Sequence, residues 1–237
     1  MFGRLGRDDG SDEDRPEPGA DGPAALSADA LIIRTASTMT STSDEMAPRA
    51  GAIILTRHGE PDLSRKVRLN AAGYIDWWAL YEEKGLKPGQ SAPERLQAQA
   101  REALIVCSTR PRSIESGHAV AEGRAFHMDP ALIEAPLPPP NWPKWLKLAP
   151  RTWGVIARIW WWFFNHHGGQ ETRAEAEARA DLIADRLASL AEEGRDVLVI
   201  AHGFFNTMVG LALRRRGWRL VEDQGYKYWS SRRFERG

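Results

Sequence analysis

Residues 52–60 have the sequence Ala-Ile-Ile-Leu-Thr-Arg-His-Gly-Glu, and this stretch decides the fold class. Its first five residues form a continuous apolar run, which is typical of a strand buried on both faces of a sheet. Two similar runs follow at 103–107 and 196–201. Because each run leads into a helical pattern, the sequence predicts an α/β protein, a three-layer sandwich around a mostly parallel central sheet.

Local signals predict where the helices of this sandwich begin. After the second run, the hydroxyl of Ser108 and the proline at Pro111 indicate a capped helix start. Thr172 and Glu175 have the spacing of a capping box, which predicts a helix leading to the third run. The helix after the third run is expected to begin near Phe204 and to direct its free backbone N–H groups toward the carboxyl ends of the strands. Ligands bind at those ends in sheets of this kind.

Histidine follows two of the predicted strands. His58 comes after the first and His202 after the third, each directly before a glycine, so the two imidazoles are expected to converge at one sheet edge. Arg57, Arg110 and Arg112 come to the same edge, and guanidinium groups can grip two phosphate oxygens at once. The set predicts an oxyanion pocket. A zinc site is disfavoured, because the cations would repel the metal and no third neutral ligand has suitable spacing. We expect no metal and no cofactor.

The first fifty residues differ in composition from the rest of the chain. They contain ten acidic and five basic residues and are rich in Asp, Gly, Pro, Ser, Thr and Ala. We therefore expect residues 1–50 to be a disordered acidic extension and 51–237 to be the folded domain. That domain contains 22 acidic and 27 basic residues, which mildly favours anionic ligands. The basic residues are interspersed with acids, so no nucleic-acid partner is expected.

Targeting features favour the cytoplasm. Cys107 is the single cysteine of the 237 residues, so no internal disulfide can form. The first twenty residues lack the apolar run of a signal peptide. The longest apolar stretch, 153–164, is interrupted by Arg158 and falls short of the roughly 20 residues that span a bilayer.

An irregular segment, 136–169, contains six of the ten tryptophans, and six prolines lie between 136 and 150. Its second half has helical spacing of apolar residues. We interpret it as a Trp-rich insertion, a loop followed by an aromatic helix that forms a lid over the site. Two alternatives stay open: the aromatic stripe packs into the core, as most such stripes do, or 153–164 contacts a membrane surface.

Three segments together resemble the histidine phosphatase superfamily, also called phosphoglycerate-mutase-like, over about 53–213: Arg57-His58-Gly59-Glu60, residues 107–117, and Ala201-His202-Gly203. In the middle segment, Arg112 aligns with the family's phosphate-binding arginine and Ser108 with its serine. Leu132-Ile133-Glu134 matches the Leu-x-Glu motif, which implies that Glu134 is the general acid. A carboxyl group among apolar neighbours can keep its proton near neutral pH; the alternative is an exposed acid before a Pro-rich loop.

The resemblance also implies a mechanism. His58 attacks phosphorus and forms a phosphohistidine, while Arg57, Arg112 and His202 hold the equatorial oxygens. Glu134 protonates the departing oxygen and later activates water. The cationic side chains take the place of a metal, so the implied enzyme is a metal-independent phosphoric monoester hydrolase.

Two departures disfavour phosphoglycerate mutase activity. Residues 61–64, Pro-Asp-Leu-Ser, follow Glu60 where mutases have Ser-x-x-Asn, and 135–140 replaces their Tyr/Gly-containing signature. A phosphatase acting on a phosphorylated small molecule is favoured, since a lid restricts access. The alternatives are a phosphoprotein or phosphohistidine phosphatase and an inactive module that binds phosphorylated ligands. Trp77-Trp78 and the insertion either line a site for an apolar or ring-shaped leaving group, such as a nucleoside, sugar or isoprenoid phosphate, or serve packing.

Overall fold

A six-stranded sheet forms the centre of the computed structural model, which describes residues 49–237. The strands are β1 (Ile53–Arg57), β2 (Leu104–Ser108), β3 (His127–Asp129), β4 (Val197–Ala201), β5 (Trp218–Asp223) and β6 (Ser231–Arg236). Their order is β3-β2-β4-β1-β6-β5. The first four strands of this order pair in parallel, and β6 pairs antiparallel with both β1 and β5. The mostly parallel sheet is confirmed, and the predicted extension 1–50 lies outside the described residues except for its last two positions.

Helices cover both faces of the sheet. They are α1 (Ala71–Glu83), α2 (Glu94–Glu102), α3 (Pro111–Ala121), α4 (Pro150–Phe164), α5 (Arg173–Glu192) and α6 (Gly203–Arg215), with a short 3-10 helix at Pro130–Leu132. Because side chains alternate along a strand, Ile53 and Leu55 pack with α5 and α6, whereas Ile54 packs with α2 and α3. This arrangement confirms the three-layer sandwich.

The helix-start signals are correct in three of four cases, one of which is the start expected near Phe204, since α6 begins at Gly203. Thr172 and Glu175 form the predicted capping box, and Pro111 is the first residue of α3. The prediction that Ser108 caps α3 is wrong. The N-cap is Arg110, without a side-chain hydrogen bond to the helix, because Ser108 still belongs to β2 and its hydroxyl contacts His202 instead.

The antiparallel hairpin of β5 and β6 was not predicted. Its loop lies at the carboxyl end of β1, where the backbone N–H of Arg57 donates to the carbonyl of Ser230 at 3.0 Å. The backbone N–H of Trp229 donates in turn to the carbonyl of Arg57 at 3.2 Å. The hairpin therefore brings aromatic residues of the 224–230 loop to the edge where His58 lies.

Helix α4, in the Trp-rich segment 136–169, has one buried and one exposed face. Trp153 and Trp161 have no exposed surface. Trp153 packs against Tyr74, Trp77 and Tyr81 of α1 in an aromatic cluster, whereas Trp161 belongs to the core cluster of α5 and α6. The core-packing interpretation is therefore correct for this face of α4. Within 49–237, no helix combines the length and apolarity needed to cross a bilayer.

Candidate active site

Two imidazoles meet where β1 and β4 end. The ring centroids of His58 and His202 are 5.2 Å apart, with the ring planes at 64°. The strand ends are tied together by a hydrogen bond of 3.0 Å from the His58 backbone N–H to the Ala201 carbonyl. Both side chains are buried, at 2% and 1% exposure. The structure thus brings together the two histidines that the sequence placed at this edge.

Arg112, from the first turn of α3, lies between the two rings. Its Nε donates to His58 Nε2 at 3.2 Å, and its Nη2 lies 3.3 Å from His202 Nδ1. Its Nη1 donates to the Tyr81 carbonyl at 2.8 Å. The residue has no exposed surface. Arg112 thus fixes the orientation of both imidazoles and places its positive charge between them.

The hydrogen bonds assign the protons of both rings. His58 Nδ1 is 2.7 Å from the Gly59 carbonyl, which only accepts, so the proton lies on Nδ1 and the lone pair on Nε2. His202 Nδ1 faces a guanidinium, which only donates, so its proton lies on Nε2 and is donated to Ser108 Oγ at 2.9 Å. Each ring is neutral in this arrangement, and the nitrogen of His58 that can attack points toward Arg112.

Burial and positive charge favour these neutral rings. Removal from water lowers the pKa of His58 well below its ordinary 6.5, and the charges of Arg112 and Arg57 lower it further. Burial, followed by the charge of Arg112, lowers the pKa of His202 in the same way. A neutral imidazole keeps the lone pair that a nucleophile needs.

We expect the free energy of unfolding to fall as the pH is lowered from 7.5 to 5.5. Both buried histidines stay neutral in the folded chain, whereas in the unfolded chain they bind protons near their ordinary pKa of about 6.5. Because the unfolded state then binds more protons, stability rises with pH, by about 1 kcal/mol per histidine for the first pH unit below 6.5. Urea denaturation across this range measures the change.

The matched control for this pH effect is His202→Asn, which removes one of the two titrating rings. Its loss of stability between pH 7.5 and 5.5 should be smaller than that of the wild type. Asp181 and Asp223 have lowered pKa values because of their hydrogen bonds to Arg216 and to the Gly225 backbone. They lose their contribution only at more acidic pH. Equal slopes for the two proteins would mean that His202 does not resist protonation.

Glu82, at the end of α1, holds Arg112 from behind. Its Oε1 accepts from Arg112 Nη2 at 2.7 Å, and its Oε2 lies 2.6 Å from Arg110 Nε. The carboxylate is largely buried, with 14% side-chain exposure. Arg110 therefore pairs behind the site. No motif in the sequence indicated Glu82, because the contact joins helices that are distant along the chain.

Arg57 lies at the rim of the site beside the 224–230 loop. Its Nη1 donates to the Tyr226 carbonyl at 2.6 Å, and its guanidinium carbon is 4.4 Å from the centre of the Tyr228 ring. Its Nε is buried and has no hydrogen-bond partner within the described residues. One donor of Arg57 is thus unused next to His58. The tyrosines of this loop are further site residues that sequence reasoning missed.

Glu134 reaches the site from the segment after the 3-10 helix. Its Oε1 accepts from the backbone N–H of Phe205 at 2.8 Å, and its Oε2 accepts from that of Phe204 at 3.3 Å. The predicted free N–H groups of α6 are therefore not free: two of them orient Glu134. The side chain is half-buried and shares a cavity wall with His58 and His202.

A cavity of about 500 Å³ opens from the two histidines and extends between α1 and α4. Four arginines contribute to its wall, and Glu134 is the one carboxylate among its lining residues (Arg57, Arg65, Arg151, Arg158). Aromatic side chains of α1 and the Pro150–Val155 face of α4 complete the wall. Within 49–237, no group of three or more His, Cys, Asp or Glu side chains is placed to hold a metal ion. Positive charge therefore predominates in the wall of the cavity.

Comparisons with known proteins agree with this architecture. The family model described as histidine phosphatase superfamily (branch 1) matches residues 53–225. The solved structure of mycobacterial hydrolase 1 is 20% identical, covers 78% of this chain and 89% of its own, and has a TM-score of 0.53. A mycobacterial glucosyl-3-phosphoglycerate phosphatase in complex with VO3 is 20% identical, with 78% and 92% coverage and a TM-score of 0.50. At these identities the likeness shows the fold alone. No curated protein matches the chain.

Proposed function

The chain belongs to the histidine phosphatase superfamily, and on this basis we propose that it hydrolyses phosphomonoesters of small molecules through a phosphohistidine on His58. The observation that carries the proposal is the buried contact of Arg112 with two neutral imidazoles at the base of a cationic cavity. A nucleophile with a free lone pair, next to a fixed guanidinium, is what phosphoryl transfer requires.

In the proposed reaction, the incoming phosphoryl group displaces Arg112 Nε from His58 Nε2, because the lone pair that accepts this hydrogen bond is the one that attacks. Arg112 then donates to an equatorial phosphate oxygen, together with the unused donor of Arg57. The single N–H of His202 leaves Ser108 Oγ and also donates to the phosphate. The N–P bond forms as the bond from phosphorus to the leaving oxygen breaks. These donors stabilise the charge spread over the three oxygens.

Glu134 serves proton transfer in this proposal. It gives a proton to the leaving oxygen, and it later takes a proton from the water that attacks the phosphohistidine, which releases inorganic phosphate and restores His58. The support is its place in the wall shared with both histidines, where the backbone N–H groups of Phe204 and Phe205 hold it. Guanidinium groups supply the positive charge, so the proposed reaction needs no metal.

The position of α4 supports a small-molecule substrate. Pro150, Gly154 and Val155 form part of the cavity wall, while Trp153 and Trp161 anchor the helix in aromatic and core clusters. We propose that the insertion 136–169 acts as the lid of the site and restricts access by a protein surface. Cys107 is buried, and burial raises the pKa of its thiol to about 12, so it stays a thiol at neutral pH. We propose separately that the enzyme is cytoplasmic, because a chain with a single cysteine suits a reducing compartment.

We expect the purified protein to hydrolyse p-nitrophenyl phosphate in the presence of excess EDTA, at a rate unchanged from that without the chelator. Steady-state release of nitrophenol measures this, and a panel of phosphorylated metabolites and phosphopeptides identifies the substrate class. Loss of activity in EDTA with recovery on adding a divalent metal would overturn metal independence. A preference for phosphopeptides would favour the phosphoprotein phosphatase, and binding of phosphorylated ligands without turnover would favour the inactive module.

A further inference from the structure

We propose that the cavity contains a second anion-binding site, formed by Arg158 of α4 and the hydroxyl of Tyr74 of α1. This site selects phosphomonoesters whose leaving group carries a second acidic group, a carboxylate or another phosphate. The inference rests on the proposed function of the His58 site and adds the chemical class of its substrate. Both residues lie in the wall of the cavity that opens from His58.

Two buried polar atoms in this wall have no partner. Tyr74 has no exposed surface, and its hydroxyl makes no hydrogen bond within the described residues. The Nε of Arg158 is likewise buried and unbonded within 49–237. Buried polar atoms in proteins are nearly always hydrogen-bonded, and each exception needs an explanation. Donors that face a cavity are explained by a ligand that accepts from them.

Gly154 places the two groups around one space. A β-carbon at this position would lie 3.5 Å from Tyr74 Oη and 3.7 Å from Arg158 Nη1. Glycine leaves this volume empty, and residue 154 itself lines the cavity. The hydroxyl and the guanidinium therefore lie beside the same space at residue 154. Because both groups are buried, a small shift of their side chains toward this space lets a single anionic group accept from both.

The charge of Arg158 is not balanced by a neighbouring acid. Other arginines have carboxylate partners: Arg112 pairs with Glu82, and Arg179 pairs with Glu171, each at 2.7 Å. Arg158 forms no ion pair in the part of the chain that the structure describes, and its guanidinium carbon lies 5.3 Å from the centre of the Phe204 ring. Its positive charge is thus available to a ligand.

Several other polar groups of the cavity already have partners. Arg65 Nη2 donates to the Tyr81 hydroxyl at 3.1 Å, and Arg57 Nη1 donates to the Tyr226 carbonyl at 2.6 Å. Glu134 is held by α6. Burial raises the pKa of Tyr74 above its ordinary value, so its hydroxyl remains a donor at neutral pH. The unused Nε of Arg57 belongs to the His58 site, and Arg151 is exposed to solvent. Arg158 and Tyr74 are therefore the buried pair that is left for a second anion.

Arg158 and Tyr74 also distinguish between apolar and acidic leaving groups, which the aromatic residues alone do not. Trp77 and Trp78 both stack on Tyr81, with ring centroids 5.1 and 5.2 Å away, and they form a wall for a carbon skeleton. A purely apolar leaving group, such as an isoprenoid, would cover Arg158 and Tyr74 without accepting from either. Because buried donors without acceptors are unfavourable, an acidic leaving group fits better.

The test compares phenyl phosphate with its 2-, 3- and 4-carboxy derivatives. For the wild type, we expect kcat/KM to be about tenfold higher, or more, for at least one carboxy derivative, the size of a charge-assisted contact. Arg158→Gln should bring this ratio close to one, and Tyr74→Phe should lower it several-fold. Arg186→Gln, on the exposed side of α5, should leave the ratio unchanged. A phenylene bisphosphate, measured alongside, distinguishes a carboxylate from a second phosphate as the preferred anion.

A binding measurement separates this inference from the proposed activity. Calorimetric titration of His58→Ala with the same four aryl phosphates should show tighter binding of the favoured carboxy derivative, and this preference should be lost in His58→Ala/Arg158→Gln. Selective binding without wild-type turnover would support the anion site and overturn the phosphatase. Turnover without selectivity, or selectivity that survives Arg158→Gln, would overturn the anion site, as would the absence of selective binding by His58→Ala.

Discussion

Replacing His58 with alanine is expected to abolish the hydrolysis of p-nitrophenyl phosphate, with kcat falling by about four orders of magnitude or more, as for other essential nucleophiles. The reason is that Nε2 of this neutral ring is the proposed attacking atom, and the hydrogen bonds leave it free of a proton. No other imidazole nitrogen in the site combines a lone pair with this position, since the lone pair of His202 lies on Nδ1, which faces Arg112.

Two measurements check this expectation. Steady-state kinetics should show the loss in His58→Ala and an unchanged rate in His118→Ala, which alters an exposed histidine of α3. After brief incubation with a phosphorus-labelled substrate and quenching under alkaline conditions, in which phosphohistidine persists, label should be found on the wild type and be absent from His58→Ala. Label on another residue, or full activity of the variant, would refute the role of His58.

Replacing Arg112 with alanine is expected to lower kcat/KM by about 100- to 1000-fold, the usual cost of removing a donor that stabilises transition-state charge. Its guanidinium contacts both imidazoles and the Glu82 carboxylate at once. Arg112→Lys should lose activity to a similar extent, because one ammonium group cannot bridge the two rings. Kinetics on p-nitrophenyl phosphate, together with thermal unfolding, measure the effect and show that the variants are folded.

The matched control is Arg110→Ala. Arg110 pairs with the same carboxylate from the other side, and its side chain is 36% exposed. Arg110→Ala should lower kcat/KM by a factor at least about ten times smaller than Arg112→Ala does, because surface ion pairs contribute little. Near-normal kinetics of a folded Arg112→Lys would show that a positive charge alone is sufficient and that the bridge between the rings is not needed.

The sequence identified the parts of the site that depend on local patterns. Three apolar runs predicted β1, β2 and β4, and a histidine after a buried strand is visible without any structure. Arg112 was found through its place in a motif. These predictions are correct because the carboxyl ends of parallel strands lie at the same edge of the sheet, whatever the structure of the segments that connect them.

The parts that were missed depend on contacts between distant segments. The strand β6, with the sequence Ser-Arg-Arg-Phe-Glu-Arg, lacks the apolar run of a buried strand. Its Arg233 is accommodated by ion pairs with Asp196 and Glu235. Glu82 has no motif, and its importance arises from α1 packing beside α3. Ser108 resembles a helix cap in the sequence because a hydroxyl precedes a proline, whereas its hydrogen-bond partner His202 lies 94 residues away.

For the Trp-rich helix α4, the spacing of apolar residues in the sequence does not distinguish a lid from a core helix. Trp153 and Trp161 lie on the buried face, and Val155 on the cavity side is 54% exposed. Because both faces of α4 are apolar, the periodicity of its apolar residues is the same for a helix that only packs in the core and for one that also covers a cavity.

The pairing of β1 also has a consequence for synthesis of the chain. Its Ile53 lies between Val197 and Phe234, so both neighbours of the strand that precedes His58 are made long after it. A growing polypeptide exposes this hydrophobic segment without its neighbours until β4 and β6 have left the ribosome, which favours slow folding and dependence on chaperones. Proteolytic removal of β6 would leave β1, the strand on which catalysis is proposed to depend, without its hydrogen-bonded neighbour on one side.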